Sequence, residues 1–130
     1  MADFGEGNLN RINVSICAFR HEMRMGKHMI KALGDPDYIA WRINKARDSF
    51  IIIPCGAKEP LSFKVPEGLH GRNGRQFRIT SKSFITEIFE KINLDVHKNY
   101  MIPGIYVAEK NCVVFNVSDA FENMLGTDEE

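Results

Sequence analysis

Three cysteines and four histidines are the side chains that could act as nucleophile, base or metal ligand in this 130-residue chain. Cys17 and Cys112 lie among apolar residues in segments of strand-like alternation, which predicts buried structural thiols. Cys55 ends an apolar run and is the thiol best placed to react, but no base can be assigned to it. The histidines, at positions 21, 28, 70 and 97, are expected to be solvated. Neither residue type has the spacing of a zinc site, so we expect no catalytic centre, metal or cofactor.

A glycine-rich basic segment could bind phosphate. Gly68–Arg75 has the sequence GLHGRNGR, and such a loop can offer backbone N–H groups and guanidinium groups to an anion. It matches neither a Walker loop nor the GxGxxG motif. A charged surface connector is the simpler interpretation, and a phosphorylated small ligand at this loop is the weakest of three functional hypotheses.

Composition limits the class of protein. Lysine plus arginine and aspartate plus glutamate both number 17, so the formal net charge is zero and any surface that binds nucleic acid must be local. The hydrophobic fraction of 44% and the nine phenylalanines are enough for one packed core. The longest apolar run is too short to span a membrane, and the N-terminus lacks the apolar stretch of a signal peptide. Together with an odd number of distant cysteines, these features predict a cytoplasmic protein without a membrane partner.

Hydrophobic periodicity predicts two similar series of elements. The first series is a hairpin, a helix closed by Gly34, and two strands: Ile12–Met25, Lys27–Leu33, Tyr38–Asn44 and Phe50–Ile53. The second is an edge strand, a strand, a helix and two strands: Leu61–Val65, Gln76–Thr80, Lys82–Ile92, Tyr100–Val107 and Val113–Val117. Phe50–Ile53 is apolar on both faces, which predicts a strand buried on both sides. Pro103-Gly104 predicts a bulge or a late strand start.

The two helices align at a constant offset when Met25–Leu33 is placed over Thr80–Ile88. We therefore expect an α+β fold of two related βαββ-like units that form a small twisted sheet or barrel with two helices. The expected organisation is a disordered N-terminus at residues 1–10, a single domain at 11–118 and an acidic tail at 119–130. Within the domain, halves 11–56 and 75–118 are joined by a connector at 57–74.

The segment Ile12–Cys55 resembles the swapped-hairpin DNA-binding domain of the AbrB/MazE/SpoVT group. Those domains consist of a strand, a turn, a short strand, a two-turn helix ending in Leu-Gly, and a hairpin. The residue-level match is Leu33-Gly34, whereas Met25-Gly26 and Thr80-Ser81 replace the Ile-Pro pair that opens the family's helix. Family members form dimers whose hairpins interleave into one barrel, so two units in one chain imply a pseudo-dimer.

The resemblance implies DNA contacts from basic residues around the leading hairpin and the helix. The matching positions in the first unit are Arg20, His21, Arg24, Lys27 and Lys31, and those in the second are Arg72, Arg75, Arg78 and Lys82. If both sets share a face, binding should depend steeply on salt; alternatively, they are scattered surface charges. The first hypothesis is therefore a non-enzymatic DNA-binding transcriptional regulator, monomeric or homodimeric. The second is a small protein-binding inhibitor or adaptor of mobile-element origin, which the neutral charge and many aromatic residues favour.

Overall fold

The protein folds around one antiparallel sheet, seen in a computed structural model that describes residues 11–60, 62–65 and 76–122. Strands follow one another in the order β5-β3-β4-β8-β7-β1-β2-β6, and β9 adds to β7. The sheet curves into a nearly closed barrel whose two ends are β5 and β6. The strands are β1 Arg11–Cys17, β2 Glu22–Gly26, β3 Tyr38–Ile43, β4 Ser49–Cys55, β5 Ser62–Lys64, β6 Gln76–Thr80, β7 Asn99–Val107, β8 Cys112–Asn116 and β9 Phe121–Glu122.

The α+β prediction is wrong, because strands dominate the fold. Two α-helices are described, α1 Lys27–Ala32 and α2 Lys82–Lys91, and a 3₁₀ turn covers Val117–Asp119. Only α2 is longer than seven residues in the described part of the chain. The sequence pattern placed most elements correctly, but the helices are short additions to a barrel-like sheet and do not form a layer of their own. Two related βαββ-like units in an α+β fold are therefore not the correct description.

Strand pairing links the two halves of the chain at several places. β1 pairs with β7, β2 with β6, β3 with β5 and β4 with β8, all antiparallel. All of these pairings except β3–β5 join a strand of the first half to a strand of the second, so neither half could close the sheet alone. A consequence is that residues of β2 and β6, which the chain separates widely, lie side by side.

The barrel interior contains a column of aromatic rings. Trp41 of β3 stacks on Phe50 of β4 with ring centroids 4.0 Å apart, and Phe50 stacks on Phe115 of β8 at 4.8 Å. Phe84 of α2 meets the edge of Trp41 at 5.7 Å, which fixes the helix against β3. At Gly104 of β7 an added Cβ would overlap the ring of Phe115, so glycine is needed for that ring to pack against the strand.

Both helices end at a residue with positive φ, and in both the next residue donates a backbone hydrogen bond across the last turn. Gly34, with φ of 93°, donates its N–H to the Lys31 carbonyl, and Asp35 donates to that of Ile30. These bonds form a Schellman motif, which requires a left-handed residue. In α2 the residue at this position is Asn93, with φ of 59°, so an Ile-Asn pair replaces Leu-Gly there. Asparagine adopts this conformation more readily than most residues, so Ile-Asn can end α2 as Leu-Gly ends α1.

Several local expectations have clear outcomes. The helix Lys82–Ile92 is confirmed, with Ser81 accepting a hydrogen bond from the Phe84 N–H at 3.2 Å. β7 continues through Pro103-Gly104 without a late start. One edge of β7 pairs with β8 from Val107 to Gly104 and with β9 at Met101 and Tyr100, so the pairing is interrupted between them.

Two further expectations, about the end of the sheet and the burial of β4, differ from the structure. The sheet extends to Glu122, past the expected start of the acidic tail. The outer residues of β4, Ile51 and Ile53, are half-buried, so the strand is not covered on both faces. The disorder expected at residues 1–10 and the connector's glycine-rich loop lie outside the described residues.

Candidate nucleic-acid interface

Two arginines lie directly opposite each other on neighbouring strands. In the β2–β6 pair, Arg24 is the register partner of Arg78. The residues on either side, such as Met23 and Ile79, are buried in the core. Because successive side chains of a strand alternate between faces, both arginines project from the outer face of the barrel. We call these two strands the β2–β6 ribbon.

Glu22 stabilises this pair of like charges. Its Oε2 lies 2.5 Å from Arg24 Nε and its Oε1 lies 3.7 Å from Arg78 Nε. Glu22 is 8% exposed, although it lies on the same outer face of β2 as Arg24. Like charges placed opposite each other on adjacent strands are destabilising. One carboxylate compensates for one guanidinium, so the centre of the ribbon keeps one excess positive charge.

Further basic residues lie at both ends of the ribbon. At one end the Ser81 N–H donates to the His21 carbonyl at 2.9 Å, which joins the β1–β2 turn, with Arg20 and His21, to the start of α2. Lys82 is the first residue of that helix and is exposed. At the other end β2 leads directly into α1, whose first residue is Lys27. Since β2 and β6 are antiparallel, the two helices start from opposite ends of the ribbon.

We call the predicted residues at the centre and ends of the ribbon the basic strip: Arg20, His21, Arg24, Lys27, Arg78 and Lys82. A five-residue strand at about 3.3 Å per residue gives a length of roughly 15 Å, with arginines at the centre and lysines at both ends. β2 also pairs with β1, so the two strands are the border of a larger sheet and can lie across a groove of B-DNA but cannot enter it as a free two-stranded ribbon. The strip could thus place cations against phosphates on either side of a groove.

The structure does not bring every predicted residue to the strip. Lys31 is exposed on α1, about one helical turn beyond Lys27 and further from the ribbon. Arg72 and Arg75 lie outside the described residues, as does the Gly68–Arg75 loop, so no geometry is assigned to their predicted DNA or phosphate contacts.

Sequence reasoning missed the role of Glu22. The sequence pattern gives this residue no role, whereas it begins β2 and lies between two arginines. The available signal was Glu-x-Arg at positions 22 and 24, a spacing that places both side chains on one face of a strand. The partner Arg78 could not be identified, because its position depends on the register between two distant strands.

The three cysteine thiols differ in their burial. All three cysteines are free; Cys112 is buried, whereas Cys17 and Cys55 are half-buried. Partial burial raises the pKa of the Cys55 thiol, Glu59 raises it further, and Arg42 acts in the opposite direction. No group of three potential metal ligands occurs in the part of the chain that the structure covers. Within the same residues, the helices are too short to cross a membrane.

Comparison of the chain with protein-family models, curated protein sequences and solved structures finds no match. Its functional interpretation therefore rests on its own residues and geometry.

Proposed function

We propose that this protein is a non-enzymatic DNA-binding regulator that contacts the duplex through the β2–β6 ribbon. The observation that carries the proposal is the direct pairing of Arg24 with Arg78 on the outer face of the barrel. Two guanidinium groups at this spacing weaken the sheet unless an anion compensates for them. Glu22 compensates for only one, so a phosphate group is a suitable second partner.

The strand pairing supports the AbrB-like part of the proposal. β1 and β4 of the first half pair with β7 and β8 of the second, as expected for interleaved hairpins. On this proposal the chain arose by internal duplication and acts as a pseudo-dimer, with one half contributing Arg24 and the other Arg78. A cytoplasmic location belongs to the same proposal and is supported by the three free cysteines.

The direct test is fluorescence anisotropy with a labelled mixed-sequence duplex at several salt concentrations. Because Glu22 compensates for Arg24, the remaining cations Arg78, Lys27 and Lys82 predict a slope of log K against log[salt] of about −2.7, at about 0.9 per phosphate contact. Arg78→Ala should reduce that slope by about 0.9. Lys45→Ala, in the exposed β3–β4 turn, is the control and should leave it unchanged. No binding by the wild-type protein at low salt would eliminate the proposal.

A protein-binding inhibitor or adaptor is the second candidate, and one surface favours it. Ile105 and Phe121 are 59% and 53% exposed on β7 and β9, and the outer residues Ile51 and Val114 nearby are half-buried. Apolar residues grouped on an outer face are typical of protein interaction sites. Recovery of one stoichiometric protein partner free of nucleic acid, with loss of that partner in Ile105→Asp, would favour this function.

A further inference from the structure

A half-open cavity of about 390 Å³ lies between α2 and β3. Its volume falls within the range of small-molecule sites, which begins at about 300 Å³. Trp41, Ile43, Phe84 and Ile88 contribute apolar walls. Residues of α2 contribute to both the cavity and the basic strip, but none of the residues that line the cavity belongs to the β2–β6 ribbon.

Trp41 has a buried hydrogen-bond donor without a partner among the described residues. The residue is 3% exposed, and no described group accepts a hydrogen bond from its Nε1–H. Leaving a buried donor unpaired destabilises a fold. Packing does not require that donor, because a phenylalanine could also stack on Phe50 and meet the edge of Phe84. An occupant with a hydrogen-bond acceptor would explain why tryptophan forms this wall.

The charges at the rim favour an uncharged occupant. Arg42 is paired with Glu59, and Lys91 Nζ lies 2.8 Å from Glu87 Oε2 on the next turn of α2. Each cation therefore already has a carboxylate partner, and the two pairs add no net charge. An anionic ligand would have to compete with both carboxylates, whereas a neutral ligand would leave the pairs intact.

We propose that this cavity binds a neutral, largely aromatic small molecule whose carbonyl oxygen accepts a hydrogen bond from Trp41 Nε1–H. The apolar body packs against Phe84 and Ile88. Because the nitrogen has almost no accessible surface, the occupant shifts a wall side chain slightly to reach it. This site does not depend on DNA binding, and either proposal can fail without the other.

The single tryptophan of the chain provides a specific readout. In a ¹⁵N-tryptophan-labelled sample, one indole N–H signal reports on Trp41. Acetophenone, which has a carbonyl acceptor, should move the indole proton downfield in a saturable way. Ethylbenzene, which has a similar shape and no acceptor, should not produce this downfield movement. An indole signal that acetophenone leaves unchanged would overturn the proposal.

Two variants separate the hydrogen bond from general apolar binding. Trp41→Phe should lower the ratio of acetophenone affinity to ethylbenzene affinity, measured by ligand-observed NMR, by about fivefold, since a net hydrogen bond contributes about 1 kcal/mol. Ile43→Phe, which keeps Trp41 as the single tryptophan, should narrow the cavity and weaken the response of the Trp41 signal, with circular dichroism confirming the fold. An unchanged affinity ratio in Trp41→Phe, or undiminished binding by a folded Ile43→Phe protein, would contradict the proposed site.

Discussion

Replacing Glu22 by glutamine should weaken the fold and strengthen DNA binding. The carboxylate lies 2.5 Å from Arg24 Nε and 3.7 Å from Arg78 Nε, and the glutamine side chain preserves its shape. The Glu22 side chain is largely buried, but the arginines are 31% and 54% exposed, which reduces the energy of both contacts. We therefore expect the free energy of unfolding to fall by about 1–2 kcal/mol.

The same substitution removes one negative charge from the centre of the strip. Its effect on affinity should equal that of about one additional phosphate contact, which corresponds to roughly a three- to tenfold tighter complex near 0.1 M salt. Urea unfolding measures the first effect, and anisotropy with the labelled duplex measures the second. Glu122→Gln is a matched control, because Glu122 faces Lys98 at 3.8 Å on the exposed surface and should change either quantity little. Weaker or unchanged DNA binding by a folded Glu22→Gln protein would refute this account of the ribbon.

Three further predictions concern the fold and the thiol. Gly104→Ala should destabilise the protein by about 1–3 kcal/mol in urea unfolding, because the added methyl overlaps Phe115. Phe115→Leu in the same chain should recover part of that loss. No destabilisation by Gly104→Ala would contradict the described packing. Ser81→Ala should cost about 0.5–2 kcal/mol by removing the α2 N-cap, whereas Ser83→Ala, on the exposed first turn, should cost less; equal losses would exclude the cap. Cys55 should react with iodoacetamide more slowly at pH 8 than an exposed cysteine, since its raised pKa reduces the thiolate fraction. The contribution of this thiol to stability should be lost as pH rises through the raised pKa. Alkylation at the rate of an exposed thiol would contradict this prediction.

Local periodicity was sufficient to predict most elements but not the fold class. Alternation in β1 and the apolar stripe of α2 depend on nearby residues, and both predictions were correct. The class depends on how strands from both halves join into one sheet, which local patterns do not specify. A two-turn helix such as α1 is also a minor part of the fold, although its sequence signal was clear.

The candidate site could be predicted only in part for the same reason. Arg24 and Arg78 were both selected from the sequence, but their direct pairing depends on the register of β2 against β6. The role of Glu22 and the cavity beside Trp41 were missed because each depends on contacts between residues of different elements.

The central claim is that DNA binds the β2–β6 ribbon, and amide chemical-shift mapping with a mixed-sequence duplex at low salt tests it most directly. The account predicts saturable shifts concentrated in β2, β6, the β1–β2 turn and the first turns of α1 and α2, decreasing as salt is added. Shifts confined to β4, β8 and β9, or no shifts at low salt, would contradict it.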